Sequence, residues 1–267
     1  MSVSGSSGAA PIDTKEDSTM EKHQVVSEDE WLAARKALLG EERAFTHARD
    51  ALAAKRQALP WVKVEKTYTF ETPQGTRTLA ALFGPRSQLL TYHFMLGPDW
   101  EEGCPGCSFL SDHVDGMLPH LEHHDVTYVA VSRAPLAKIE AFRQRMGWHF
   151  PWVSSHGSDF NFDYHVSFNE ADSARGKALY NYEEQDYASD ELPGISAFYR
   201  DEAGNVYHTY SAYARGVEMV LGVYAMLEFT AKGRNEKKDM REWMRHHDRY
   251  EDSSGQPACC AHERKTQ

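Results

Sequence analysis

At 267 residues and 41% apolar composition, the chain is long enough for one large domain or two small ones around a real core. Its 40 acidic side chains outnumber 29 basic ones, and the net charge of −11 repels a phosphate backbone, which excludes nucleic acid as an expected partner. The longest nearly apolar stretch, 217–229, carries Glu218 and Glu228 and is too short to span a bilayer, so no membrane partner is expected either.

Residues 1–24 are Ser, Gly and mixed charge without the apolar core of a secretory signal. The stretch is expected to be a disordered leader, and the compartment cytoplasmic and reducing. Order is expected from residue 25, where Ser27-Glu28-Asp29-Glu30 forms a capping box and Val26 can staple onto Trp31. Trp31, Leu38, Phe45, Leu52 and Leu59 recur every seven residues until Pro60, predicting an N-terminal amphipathic helix over 25–60. The intervening positions, Ala34, Glu41, Ala48 and Lys55, leave the stripe thin. It suits a helix lying on its own domain and a homodimer contact equally well.

A domain is expected over 61–230. Trp61 to Phe70 alternates, Thr72-Pro73-Gln74-Gly75 turns, and Thr78 to Phe83 closes an opening strand or hairpin. Leu89 to Leu96 reads as a buried strand running into Gly103-Cys104-Pro105-Gly106-Cys107, after which a helix is predicted over 108–122. Val126 to Val131 is a second buried strand, and Pro135 opens a helix with Leu136, Ile139, Phe142 and Met146 on one face. Strand, helix, strand, helix implies a parallel pair with a right-handed crossover. Residues 151–168 are dense in aromatics with His156, Asp159, Asp163 and His165, and an acidic surface excursion follows over 170–191. Ile195 to Arg200 and Asn205 to Tyr210, joined by Asp201-Glu202-Ala203-Gly204, form a hairpin, and a last helix is predicted over 215–229. Residues 231–267 read as a charged, partly disordered tail with a short helix near Trp243, ending in Cys259-Cys260-Ala261-His262.

Cys104 and Cys107 thus fall at a strand-to-helix turn. A helix amino terminus presents unpaired N–H groups and about half a positive charge, which favours a thiolate at the first cysteine. This is the requirement of a redox dithiol, with Cys104 as nucleophile and Cys107 as resolving thiol. Glu101 and Glu102 oppose that ionisation. His93, on the strand feeding the turn, is expected to lie beneath the dithiol and act as the base for Cys107. The spacing Cys104-x2-Cys107-x12-His120-x3-His124 also fits a zinc finger, but Pro119 is expected to break or kink the helix that would carry both histidines. Two alternatives stay open: a metal-binding or metal-delivery module using Cys104 and Cys107 as ligands, and a peroxide reductase in which Cys104 forms a sulfenate. Cys259, Cys260 and His262 are further candidates for a soft metal. No cofactor is expected.

The order of these elements is that of thioredoxin: a strand into a Cys-x-x-Cys helix, a strand and helix, an antiparallel hairpin and a closing helix. The segments Trp31 to Leu39, Tyr92 to Met95, Gly97-Pro98-Asp99-Trp100, Cys104 to Cys107, Ser132 to Leu136 and Gly157 to Asn161 resemble the bacterial thioredoxin-like family of domain of unknown function 899. The resemblance covers about residues 25 to 235. It implies a thioredoxin-like α/β fold, a mixed central sheet flanked by helices, and dithiol-disulfide oxidoreductase activity on a protein or small-molecule disulfide. His93 aligns roughly with the buried acid of thioredoxins. Two departures stand out: Gly103 occupies the place of the Trp that thioredoxins carry before the first cysteine, and Pro193 lies near the position of their proline before the third core strand.

Overall fold

The computed structural model describes residues 23–250, and the chain divides into two compact units, 1–52 and 53–267. Helix α1 (Glu28–Gln57) begins at the capping box: Ser27 N donates to Glu30 Oε2 at 3.0 Å and Glu30 N to Ser27 Oγ at 3.3 Å. None of its residues is buried, and Trp31, Leu38, Phe45 and Leu52 are all exposed. No helix among the described residues is long and apolar enough to cross a membrane.

In the second unit, β1 (Val62–Lys63) precedes a hairpin of β2 (Thr69–Thr72) and β3 (Gly75–Thr78). The second arm stops early because the Thr78 hydroxyl accepts from Ala81 N at 3.3 Å and caps the short helix α2 (Leu79–Leu82), where a strand to Phe83 was expected. Then come β4 (Gln88–His93), α3 (Pro105–Ser111), α4 (Val114–His123), β5 (Val126–Ser132), α5 (Leu136–Arg145), β6 (Trp152–Ser154) and α6 (Phe160–Asp163). The acidic stretch holds α7 (Glu170–Arg175) and a separate hairpin of β7 (Lys177–Tyr180) and β8 (Glu183–Asp186). Finally β9 (Gly194–Arg200) and β10 (Val206–Tyr213) lead into a 3₁₀ turn over Ala214–Val220 and α8 (Gly222–Leu227).

The eight-stranded sheet has the order β1-β10-β9-β4-β5-β6-β2-β3. β4 pairs in parallel with β5, from Gln88 opposite Val126 to His93 opposite Val131, and β6 extends the parallel set. β9 runs antiparallel to β4, and β10 antiparallel to β9. The core order β10-β9-β4-β5, with α3 and α4 crossing between the parallel strands, is the thioredoxin-like arrangement.

Further segments depart from their expected form. The helix expected over 108–122 is two helices, because the chain tightens where His113 N bonds Leu110 O three residues back. Asp112 then accepts from Trp148 Nε1 at 2.8 Å. Pro119 sits inside α4 without ending it, so the break lies upstream of the proline. The last helix is likewise interrupted at Leu221. Residues 152–154, within the aromatic stretch, form the third parallel strand.

Strand alternation divides the core in two. On one face Tyr92 and Phe94 of the β4 segment pack with Tyr128, Phe142, Trp152 and Cys107; on the other, Leu89 packs with Val131, Phe160, Tyr164 and Phe198. Residues 240–246, within the stretch expected as a charged tail, return to the first face, where Met244 and His246 are buried.

Candidate active site

The turn after β4 is held from both ends. Cys104 N donates to Met95 O at 3.0 Å, and the Cys104 carbonyl accepts from Ser108 N at 2.9 Å and Ser108 Oγ at 3.0 Å as α3 begins. Gly103 has no room for a side chain: a Cβ there would lie 2.7 Å from ring carbons of both Phe94 and Phe142. The tryptophan that thioredoxins carry at this place therefore cannot be accommodated.

Both cysteines are free; Cys104 is partly exposed and Cys107 buried. The Cys107 thiol donates to the Cys104 sulfur, and this bond, with the N–H groups of Cys107 and Gly106, outweighs burial and lowers the Cys104 thiol to about 7. Burial, reinforced by that donation, pushes Cys107 well up. Two donors oppose the rise: the Tyr92 hydroxyl, and Met95 N at 3.4 Å from Cys107 Sγ. Glu102 does not press on the thiolate unopposed. Arg249 above all, then Arg145, hold its carboxyl below the usual range, and Arg145 Nη1 lies 2.9 Å from Glu102 Oε1.

The returning chain fastens to the same turn. His246 Nε2 donates to Gly103 O at 2.8 Å, which leaves Nδ1 to accept from Arg145 Nη2 at 3.3 Å. A cleft of about 990 Å³ opens beside the dithiol, floored by Tyr92, Met95, Leu110, Pro193 and Met244. A smaller cavity of about 290 Å³, between Trp100 and Arg249, meets it at Cys104 and Arg245. Pro193 immediately precedes β9 and lines the cleft.

His93 is not brought to this site. Its ring stacks on Phe160 and Tyr164 at 5.5 and 6.0 Å between centroids, on the opposite face of the sheet from Cys107. Nε2 pairs with Ser196 Oγ at 2.9 Å, Ser196 with Ser211 at 2.8 Å, and Ser211 with His208 at 2.7 Å. Nδ1 has no partner, and burial, with His208 nearby, lowers the imidazole to about 3. The expectation that His93 lies beneath the dithiol is corrected by one residue: alternation turns Tyr92, not His93, toward Cys107.

Cys259, Cys260 and His262 lie outside the described residues. Among the described residues no group of three or more His, Cys, Asp or Glu is placed to hold a metal ion, so Cys104 and Cys107 gain no further ligand there. Sequence reasoning missed Tyr92, His246 and the Met240–Met244 pair. Strand alternation carried a signal for the first once the facing side was known, whereas nothing local links His246 to a glycine 143 residues away.

A Cys-x-x-Cys turn between the first parallel strand and its crossover helix, in a sheet of this order, defines a thioredoxin-like protein. The chain belongs to the family of bacterial proteins of unknown function DUF899, whose model matches residues 20–250. No curated protein matches it. Among solved structures, peroxiredoxin Q of Xanthomonas campestris is similar at 18% identity and a TM-score of 0.38, over 61% of this chain and 91% of that one. Peroxidoxin BcpB of Mycobacterium tuberculosis is similar at 14% identity and 0.37, over 61% and 93%. The mitochondrial 2-Cys peroxiredoxin of Plasmodium falciparum is similar at 14% and 0.37, over 67% and 96%.

Proposed function

We propose that the protein is a dithiol-disulfide oxidoreductase in which Cys104 attacks and Cys107 resolves. The observation that carries this reading is the asymmetry of the pair: a partly exposed thiol lowered to about 7 accepts a hydrogen bond from a buried partner whose own thiol is pushed up. The Cys104 thiolate attacks one sulfur of a disulfide, a mixed disulfide forms, and the first substrate thiolate leaves. Cys107 then attacks the Cys104 sulfur and the second substrate thiolate leaves. Its proton passes to a departing thiolate or to water. The substrate disulfide is reduced to two thiols while Cys104 and Cys107 are oxidised to a disulfide, and an external thiol reductant restores them.

Tyr92 takes the role first expected of His93 in a different form. Its hydroxyl is raised well above its ordinary value, chiefly by burial, so it does not serve as a base at neutral pH. It donates to Cys107 and stabilises the thiolate that resolution requires.

The test is the Cys107→Ser protein incubated with an oxidised substrate pool or a simple organic disulfide. A covalent adduct on Cys104, released by dithiothreitol and missing from Cys104→Ser, is the expected result. Failure to form such an adduct, with sulfenate appearing on Cys104 at stoichiometric peroxide instead, would replace this reading with peroxide reduction.

A further inference from the structure

The cleft beside Cys104 is apolar in its floor and uneven in the charge of its rim. Five basic and three acidic side chains line it, in a chain whose net charge is −11. All three acids are already taken up. Glu218 pairs with Arg215 at 2.7 Å and with Arg234, and Asp239 pairs with Arg241 at 2.6 Å. Glu236 accepts from the Tyr224 hydroxyl at 2.6 Å and Trp243 Nε1 at 2.8 Å. The charges left over are positive: Lys238 and Arg245 form no ion pair among the described residues, and Arg245 Nη1 donates to the carbonyl of Met244 at 2.9 Å. Arg245 also lines the smaller cavity on the other side of Cys104, so it borders both approaches to the sulfur.

We propose that this cleft selects small organic disulfides that are apolar in the body and carry a carboxylate, with Met240, Met244 and Tyr92 packing the body and Lys238 and Arg245 facing the anion. Its volume of about 990 Å³ lies at the upper end of the range in which pockets enclose most of a small molecule's surface. An apolar floor beneath unneutralised cations binds an amphipathic anion better than a neutral molecule of the same size, because the charge is met close to low-dielectric walls. The inference rests on the dithiol reading of Cys104 and Cys107. The covalent step is the exchange already described: one aromatic disulfide takes two electrons from the dithiol and leaves as two thiolates.

The experiment compares two aromatic disulfide probes on the full chain, the dicarboxylate 5,5′-dithiobis(2-nitrobenzoate) and the neutral 4,4′-dithiodipyridine. The rate read is that of the phase absent from Cys104→Ser, which separates the site from the other thiols. The anionic-to-neutral rate ratio should exceed the ratio for 2-mercaptoethanol, and it should fall roughly tenfold in the double variant Lys238→Gln, Arg245→Gln, the scale of a local electrostatic effect on encounter. In the unmodified protein, 4-nitrobenzoate should slow alkylation of Cys104 by the neutral reagent iodoacetamide, and 4-nitrobenzamide should slow it less. A ratio equal to that of 2-mercaptoethanol and unmoved by the double variant, or equal protection by the two nitrobenzene derivatives, overturns the anionic preference. In that event two thiolates released per chain through the Cys104 phase still uphold the dithiol reading; absence of that phase is the result that removes it.

Discussion

Tyr92 and His93 are consecutive in one strand, both are buried, and both carry a polar atom on an aromatic ring, yet they belong to different regions of chemistry. Tyr92 faces the dithiol and its hydroxyl meets the Cys107 sulfur. His93 faces the opposite core, where its partner is a serine and its second nitrogen is left unpaired. The difference teaches that in a sheet buried on both sides the chemistry of a strand residue is set by its parity. A histidine is the better base in solution, but here burial has made it unable to take a proton near neutrality, and it is on the wrong side of the sheet.

The two faces separate under mutation. Replacing Cys104 by Ser should abolish thiol-disulfide exchange at the site altogether, measured as loss of the fast phase with an organic disulfide. Next in size, His93→Ala should cost roughly 2–4 kcal/mol of stability, by denaturant melts, through the cavity and the lost hydrogen bond to Ser196. Its exchange rate should stay within about twofold, since the sites share no partner. A large loss of exchange with little loss of stability would mean that the opposite face reaches the dithiol after all.

Tyr92→Phe should show the reverse pattern. Deleting a donor to a thiolate should slow resolution of the mixed disulfide by roughly ten- to a hundredfold, read by stopped-flow after rapid formation of the adduct, with alkylation of Cys104 nearly unaffected. Equal slowing of both steps would place the hydroxyl on Cys104 instead.

pH separates the two faces as well. Alkylation of Cys104 should rise with pH to a plateau with a midpoint near 7, and Cys107 should stay protected at that pH. Acid acts on the other face. The unfolded chain binds a proton at His93 near pH 6.5, while the folded chain refuses it until about 3, so stability falls as pH drops through that window by up to about 1.4 kcal/mol per unit. His93→Ala should remove this part of the slope, and an unchanged slope would assign it to His208 and other groups.

Much of the architecture was legible because its signals are local. The capping box at Ser27, the apolar runs of β4 and β5, the Pro135 start of α5 and the Asp201–Gly204 hairpin turn each place an element from residues within a few positions of it. The Cys-Pro-Gly-Cys turn was legible for the same reason. β6 was not, since three residues are too few to show a period, and the split between α3 and α4 depends on Asp112 reaching Trp148 across the fold.

By itself, then, the sequence determined the strand and helix order around Cys104 and Cys107, the net negative charge, and the family to which the chain belongs. Only the tertiary structure decided which neighbour in β4 meets Cys107, that Gly103 is hemmed in by Phe94 and Phe142, and that residues 240–246 return to cover the dithiol. The physical reason is range. A strand's alternation specifies two faces but not which of them a distant helix will pack on, and that choice is made by burial summed over contacts between segments more than a hundred residues apart.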